Sequence, residues 1–274
     1  MSLYWLRLDA GGHSHLEAMP VLAVHYQGPI DANGYRRRAR GEEPPAAHRF
    51  GISGGVRAIL LNPDQHADLL GSPSRRMTFI VSGRIAVADD SGQEIILERG
   101  NLLLTDGNPG LRGSMRHFDV CRLVQFTVIS PWPEAEAAAL TIPTLPTATA
   151  QAPNLKRLYR GDHERAYFRE FDQLFASPPG LWSDERAVTG FRICTLADAT
   201  FIDWHPEVVN QVVLVLSGQI ALESSGDYRN ERFVAGDVCL AEDRTGVGHV
   251  DRIHGMTALC LLVMEDRDLW SVGQ

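Results

Sequence analysis

The sequence is short of cysteine and of long apolar runs. Its 274 residues include only 4 cysteines, none in a Cys-x-x-Cys pair, so no disulfide framework or redox motif is indicated. No stretch reaches the ~18 consecutive apolar residues of a membrane helix, and no basic segment precedes an apolar one at the N-terminus. We therefore predict a cytoplasmic protein without a membrane partner, whose cysteines are reduced and buried.

Basic residues are also in deficit. The chain has 26 Lys and Arg against 34 Asp and Glu, a formal charge of −8 that repels phosphate backbones and anionic lipid. The short basic run 36–38 is interpreted as a solvated loop. With 44% hydrophobic residues the chain is globular, and its predicted partners are small molecules rather than nucleic acid.

A tandem repeat organises the chain. Residues 77–87 match residues 212–222 at an offset of 135, and Ser82-Gly83 recurs as Ser217-Gly218. Both copies consist of short β-rich runs separated by turns rich in Gly, Asn and Asp. The pattern predicts an all-β protein with two barrels or sandwiches in one chain.

The repeat also predicts the domain boundaries. We expect an N-terminal domain at 1–140, a linker rich in Pro and Thr at 141–154, and a C-terminal domain at 155–274. A short helix is predicted at 131–140. A second is predicted at 162–175, where aromatic residues at helical spacing are interpreted as core.

One strand of the second copy combines a polar and an apolar face. Alternate side chains of a strand share a face, so His205, Glu207 and Gln211 are expected to lie together. The opposite face is apolar and needs a cover, which either a homodimer or the other barrel of the same chain would supply. That face is formed by Val208, Val212, Leu214 and Leu216.

At these positions the sequence resembles the cupin superfamily. The string His205-x-Glu207-x3-Gln211-x6-Gly218 is similar to the first cupin motif, with Glu in place of the second His and Gln in place of the Glu. In the second motif, His249 arrives two positions late after Gly236. Asp-Trp-His at 203–205 and the segment 241–249 also resemble uncharacterised bacterial cupin-domain proteins. The resemblance implies a bicupin, that is, tandem cupin jelly-roll β-barrels with a few short helices.

Two interpretations of the second barrel stay open. In the first, His205, His249 and Glu207 bind one divalent metal (Fe, Mn, Ni or Zn), and Gln211 is the weakest ligand or an orienting neighbour. In the second, His249 only bonds a carboxylate of Glu242, Asp243 or Asp251 and no metal binds. Taken singly, Glu242 and Asp243 are interpreted as solvated turn residues.

The first copy carries no metal set, because His205, Glu207 and Gln211 correspond to Leu70, Ser72 and Arg76, and His249 falls near Gly113. Arg76 is expected to point into the barrel. It either anchors an anionic ligand or forms a salt bridge with an acidic residue of its own domain.

The function predicted from these features is that of a cupin-type small-molecule enzyme of dioxygenase, isomerase or decarboxylase type, with one metal in the C-terminal barrel. The alternative is a metal-free bicupin that binds or senses a carboxylated or sugar-like ligand. No catalytic residue is assigned. The candidate substrate-binding residues are Arg76, Gln211 and Glu242.

Overall fold

The fold was examined in a computed structural model, which describes residues 2–19, 24–26, 36–38, 50–51, 55–65, 70, 72–129 and 152–264. The helix predicted at 131–140 and all but the last three residues of the predicted linker lie outside this part of the chain. Within it, regular structure is almost entirely strand, which confirms the all-β prediction. No helix of the described residues has the length and hydropathy needed to cross a membrane.

The described strands are numbered in chain order. The first ten are β1 (Leu3–Leu8), β2 (Ser14–Met19), β3 (Val24–Tyr26), β4 (Arg36–Arg38), β5 (Phe50–Gly51), β6 (Val56–Leu61), β7 (Arg76–Ser82), β8 (Arg84–Ala88), β9 (Glu94–Glu98) and β10 (Leu102–Thr105). The others are β11 (Ser114–His117), β12 (Cys121–Thr127), β13 (Leu155–Arg160), β14 (Ala166–Glu170), β15 (Val188–Leu196), β16 (Thr200–His205), β17 (Gln211–Ser224), β18 (Asn230–Val234), β19 (Val238–Glu242) and β20 (His249–Met264).

The chain forms two compact units, and each unit includes a segment from the other half of the sequence. Unit 1 comprises Met1–Val21, Phe50–Ala152 and Gln173–Val188. Unit 2 comprises Leu22–Arg49, Pro153–Asp172 and Thr189–Gln274. Strands β3 and β4 accordingly pair in parallel with β15 and β16 of unit 2, so the predicted loop at 36–38 is a strand. The domain boundaries drawn from the repeat stay a prediction.

Unit 1 is built from two sheets around one core. Its six-stranded sheet has the order β2-β1-β10-β7-β12-β6, and its three-stranded sheet has the order β11-β8-β9. Both sheets contribute buried apolar side chains to a single cluster, for example Ile80 and Leu123 from the first and Ile85 from the second. This is a sandwich of the jelly-roll kind.

Unit 2 repeats the same strand order, β14-β13-β19-β17-β20-β15. Its long strand β17 corresponds to β7 and β8 of unit 1 taken together. Its long strand β20 corresponds to β11 and β12 taken together. The turns match as well: the Gly100 N–H donates to the Ile80 carbonyl at 2.8 Å, and the Gly236 N–H donates to the Val215 carbonyl at 2.8 Å. The duplication read from the sequence is therefore present in the backbone.

The glycine of each Ser-Gly repeat has the same structural role. Gly83 and Gly218 have φ of +85° and +76°, in the left-handed region. A Cβ on Gly83 would lie 2.8 Å from the Val120 carbonyl oxygen, and a Cβ on Gly218 would lie 2.5 Å from that of Met256. Both positions need glycine because the neighbouring strand approaches too closely for a side chain.

The helix predicted at 162–175 is wrong. The segment forms a 3-10 turn at Asp162–Glu164, strand β14 and a second 3-10 turn at Asp172–Phe175. Strand pairing decides this, because 166–170 pairs with β13 along its whole length and satisfies the backbone groups that a helix would bond internally. The aromatic side chains do belong to the core: Phe168 and Phe171 are buried.

The face expected to require a partner is largely covered within the chain. Val212, Leu214 and Leu216 are buried, and Val208 alone of the four is exposed, at 72%. The apolar argument for a homodimer is weakened accordingly, and the homodimer stays a prediction.

All four cysteines are free and buried, as expected from the sequence. Burial raises the pKa of Cys121 to about 11 and also raises the pKa values of Cys239 and Cys260. Thiolate, rather than thiol, is the reactive species. Because a raised pKa keeps these thiols protonated at pH 8, they should be inert there.

We therefore predict that iodoacetamide at pH 8 leaves Cys121, Cys239 and Cys260 unlabelled in the native protein and labels them after unfolding in guanidinium. Mass spectrometry of the digested protein measures the labelling. Rapid native labelling of any of the three, or a disulfide between two of them, would contradict this assignment.

Candidate metal centre

The two predicted histidine ligands are cross-strand neighbours. β16 and β20 are antiparallel, and His205 is paired with His249 in their register. Gly248 makes this approach possible: its φ is +79°, and a Cβ there would lie 1.9 Å from the His205 carbonyl oxygen. The ring centroids of the two histidines are 4.5 Å apart.

A carboxylate completes a three-residue cluster. One donor atom each of His205, Glu207 and His249 lies within 4.8 Å of the others. The His249 Nε2 and the Glu207 Oε1 are 3.8 Å apart. Two ligands of one ion are separated by at most about twice the bond length of ~2.0–2.2 Å, so this pair fits as it stands.

Two aspartates belong to the same cluster, Asp251 through strand alternation and Asp243 through the turn before β20. His249, Asp251 and Ile253 alternate along β20, and Ile253 belongs to the core of unit 2. Asp251 Oδ1 lies 3.2 Å from His249 Nε2, and its Oδ2 lies 3.9 Å from His205 Nε2. Asp243 is buried, and its Oδ2 bonds His249 Nδ1 at 2.7 Å. The interpretation of Asp243 as a solvated turn residue is therefore wrong.

The contacts fix the ring nitrogens of both histidines. A backbone carbonyl can only accept, so the Nδ1 of His205, 2.8 Å from the Asp203 carbonyl, is a donor. When this imidazole is neutral, its Nε2 carries the free lone pair. In the same way, the Asp243 carboxylate makes Nδ1 of His249 the donor. Both neutral rings would thus offer Nε2 to a cation.

Burial and charge set the protonation of the cluster. Burial alone would lower the pKa of His249, but the charges and hydrogen bonds of Asp243 and Asp251 raise it well above its ordinary value of 6.5. Burial also raises the pKa of Glu207, against the opposing effect of His249. When no cation is present, Asp243 and Asp251 therefore favour the protonated form of His249.

Gln211 lies on the same interior face. Its side chain alternates with Val213 and Val215, which belong to the core of unit 2, and its register partner on β19 is Ala241. Gln211 is buried, and its Oε1 accepts no hydrogen bond from the described residues. The Oδ1 of Asp243 is likewise buried without a hydrogen-bond donor among them. The Asp243 oxygen belongs to a carboxylate that contacts His249, and an orphaned buried acceptor there fits a cation or its bound water.

Glu242 belongs to a different environment. It alternates with Ala241 on β19, so it points away from the interior face, and it forms an ion pair with Arg157. Both side chains of that pair are about nine-tenths buried. Glu242 is thus neither a solvated turn residue nor a neighbour of the histidine cluster, and its assignment to substrate binding has no support in this geometry.

The corresponding place in unit 1 is apolar. Ala86 and Ala221 are equivalent in the repeat, and they pair with Arg116 and Arg252 respectively. Three residues before these arginines stand Gly113 and His249, which are therefore equivalent positions. A Cβ on Gly113 would lie 3.3 Å from Leu70 Cδ1, so the Leu70–Gly113 contact replaces the histidine pair. An apolar contact thus stands at this place among the described residues, and the restriction of a metal to the second copy stays a prediction.

Arg76 occupies the position of Gln211 in the repeat, as predicted. Its Nε donates to Ser72 Oγ at 2.8 Å, and its Nη1 lies 4.0 Å from Glu185 Oε1. Glu185 comes from 173–188, which belongs to unit 1. Arg76 thus has an acidic partner in the same structural unit, at the outer limit of ion-pair distance, but Glu185 lies outside the N-terminal domain predicted at 1–140.

No family model matches the chain, and no curated protein does. Among solved structures, the chain is similar to a Cupin 2 conserved barrel domain protein from Leptotrichia buccalis, with 11% identity, a TM-score of 0.42, and coverage of 83% of this chain and 92% of that chain. It is also similar to a protein of unknown function from Pseudomonas syringae pv. tomato, with 12% identity, a TM-score of 0.36, and coverage of 96% and 100%.

A third similar structure is the oxalate decarboxylase of Bacillus subtilis, which has Mn(II) centres. Its identity is 14% and its TM-score 0.25, with coverage of 80% of this chain and 68% of that chain. The solved structures that resemble this chain thus include cupin barrels, the superfamily that the motif spacing resembles.

Gly248 provides a test of how the site is assembled. Replacing it with alanine should lower the free energy of unfolding by ~3 kcal/mol or more, because strain of ~1–2 kcal/mol from the left-handed backbone adds to a clash with the His205 carbonyl. Gly255→Ala is the matched control, since Gly255 has φ +74° on β20, which begins one residue after Gly248, and a Cβ there would meet nothing within 4 Å. Guanidinium unfolding measures both. Equal losses would show that the close approach at His205 is not a constraint.

Proposed function

We propose that unit 2 binds one divalent transition-metal ion through His205, Glu207 and His249, and that the chain is a metal-dependent enzyme of the cupin type. The observation that carries the proposal is the convergence of two imidazoles and a carboxylate within 4.8 Å. This ligand set suits Fe(II), Mn(II), Ni(II) or Zn(II). The bound ion would supply Lewis acidity to an oxygen atom of a small substrate at an open position.

Charge supports a cation at this point. The carboxylates of Glu207, Asp243 and Asp251 lie within 4.0 Å of one or both histidines. Burying several carboxylates is costly unless positive charge accompanies them. In the metal-free state a protonated His249 supplies part of that charge, and a divalent ion would supply more.

The chain's own residues then have separate roles. His205 and His249 present Nε2 because Asp203 and Asp243 hold their Nδ1 atoms. Asp251, 3.2 Å from His249 Nε2, is placed to accept a proton or to hold a water molecule once that nitrogen is occupied. The Gln211 amide is placed to bond the substrate or a bound water through its unused oxygen.

A second candidate function is a metal-free binding module, and one observation favours it. Both ring nitrogens of His249 are already engaged, by Asp243 at 2.7 Å and by Asp251 at 3.2 Å. A carboxylate–imidazolium–carboxylate arrangement is complete without a metal. In that case a small polar ligand would bond Glu207 or Gln211 directly.

Metal content decides between the two. The full chain, purified without a nickel column, should bind about one Mn(II), Fe(II) or Zn(II) per chain by equilibrium dialysis with elemental analysis. His205→Ala and His249→Ala should each lower the affinity by about tenfold to a hundredfold or more. The control His254→Ala, an exposed histidine on the same strand as His249, should have no effect. Parental metal binding by both variants would leave only the binding module.

The role of Asp243 predicts a graded effect. Asp243→Asn keeps an acceptor for His249 Nδ1 but loses the charge, so we expect metal affinity to fall about tenfold, and up to about a hundredfold for Asp243→Ala. Asp227→Asn is the control, because Asp227 lies in the turn after β17 and bonds Ser224 Oγ. Calorimetric titration with Zn(II) measures the three variants. Unchanged affinity in Asp243→Ala would show that this carboxylate does not orient a ligand.

A further inference from the structure

A β-bulge turns His205 toward Asp251. Asp251 is paired with Ile202 on β16. Two residues earlier on β20, His249 is paired with His205, which lies three residues after Ile202. Residues three apart on a regular strand face opposite sides, and the extra residue within 203–204 returns His205 to the side of Ile202. Because Ile202 is buried, His205, His249 and Asp251 share the interior face of unit 2.

The carboxylate of Asp251 faces the ring nitrogens of both histidines. Its Oδ1 lies 3.2 Å from His249 Nε2, and its Oδ2 lies 3.9 Å from His205 Nε2. These are the two nitrogens that the neutral rings offer to a cation. Two ligands of one ion lie at most about 4.0–4.4 Å apart, twice the bond length of ~2.0–2.2 Å. Both separations fall within this range, so an ion that binds the two nitrogens lies within reach of this carboxylate.

Burial and charge favour the same arrangement. The side chains of Asp251 and Glu207 are only 11% and 16% exposed. A buried carboxylate is costly unless positive charge accompanies it, and together these two match the two charges of a divalent ion. Imidazole suits first-row transition metals, and carboxylate oxygen suits Mn(II) in particular. Two imidazoles and two carboxylates are therefore a suitable ligand set for such an ion.

We propose that Asp251 is the fourth protein ligand of the ion in unit 2. The inference rests on the metal site proposed above, and it gives Asp251 direct coordination in place of an indirect role through a proton or a water molecule. The motif spacing assigns the weakest ligand position to Gln211. A charged carboxylate attracts a divalent ion more strongly than a neutral amide oxygen does, so Asp251 is the better fourth ligand.

A fourth ligand decides which ions can also bind a substrate. Zn(II) with four protein ligands is complete, as in the closed tetrahedral sites that serve structure rather than catalysis. Mn(II) prefers six ligands, so four protein ligands leave about two positions for water or for substrate oxygen. Unit 2 would thus bind Zn(II) without an open position, and the proposed reaction would need an ion that accepts six ligands.

The test counts the water molecules on the ion, which loss of a direct ligand changes and loss of an orienting neighbour does not. Electron–nuclear double resonance of the Mn(II)-loaded full chain in ¹⁷O-enriched water should find about two bound waters. Asp251→Ala should gain one water and lose Mn(II) affinity by at least about a hundredfold, since loss of partners that only orient a ligand already costs ~10–100-fold. Glu223→Gln is the matched control and should change neither, because Glu223 pairs with Arg252 on the opposite face.

The parent protein decides by its own water count if Asp251→Ala fails to fold. Failure of the parent to bind Mn(II) would overturn the metal site and the fourth ligand together. Three results would overturn the fourth ligand alone while the metal site stands: about three waters on Mn(II) in the parent, an unchanged water count or affinity in Asp251→Ala, or a water gained in Gln211→Leu instead.

Discussion

The site in unit 2 depends on one close approach of backbone to backbone. Gly248 passes so near to the carbonyl of His205 that no side chain fits, and this contact sets His205 opposite His249 in the strand register. All other features of the cluster follow from that pairing. Alternation along β20 adds Asp251 beside His249, and the preceding turn brings Asp243 to the far nitrogen of the same ring.

The two units show how one backbone supports different interiors. The glycines at 83 and 218, the turn hydrogen bonds and the order of the six main strands are shared. The side chains at the interior end differ in charge. Leu70 and Gly113 occupy the places of the two histidines, and Arg76 stands in unit 1 where Gln211 stands in unit 2. The two copies thus share the same backbone, whereas the side chains at the interior end of each unit differ.

Much of this architecture could be predicted from the sequence because it rests on short-range rules. The offset of 135 residues indicated two copies, and the two-residue period of a strand placed His205, Glu207 and Gln211 on one face. The places where sequence reasoning failed depend on pairing partners. Residues 162–175 show helical spacing, yet β13 recruits part of them as a strand.

The importance of Asp251 and Asp243 was not visible in the motif either. Each stood in the sequence as one of several carboxylates available to His249, and only the register of β20 and the Gly248 turn select these two and exclude Glu242. Asp251 could have been predicted from its position two residues after His249, because residues two apart on a strand share a face. That prediction requires the strand to continue past the motif, as β20 does. The burial of Glu242 could not be read from spacing, because its ion-pair partner, Arg157, is 85 residues away.

The most direct test of the account is a crystal structure of the protein soaked with Zn(II) or Mn(II), with diffraction measured at the absorption edge of the metal. We predict one anomalous peak in unit 2, within ~2.0–2.2 Å of Nε2 of His205, Nε2 of His249 and a carboxylate oxygen of Glu207. Two results would contradict the metal assignment: no peak at this cluster after soaking in saturating metal, or a peak that these three side chains do not contact. Either result would leave His249 as a buried imidazolium held by Asp243 and Asp251.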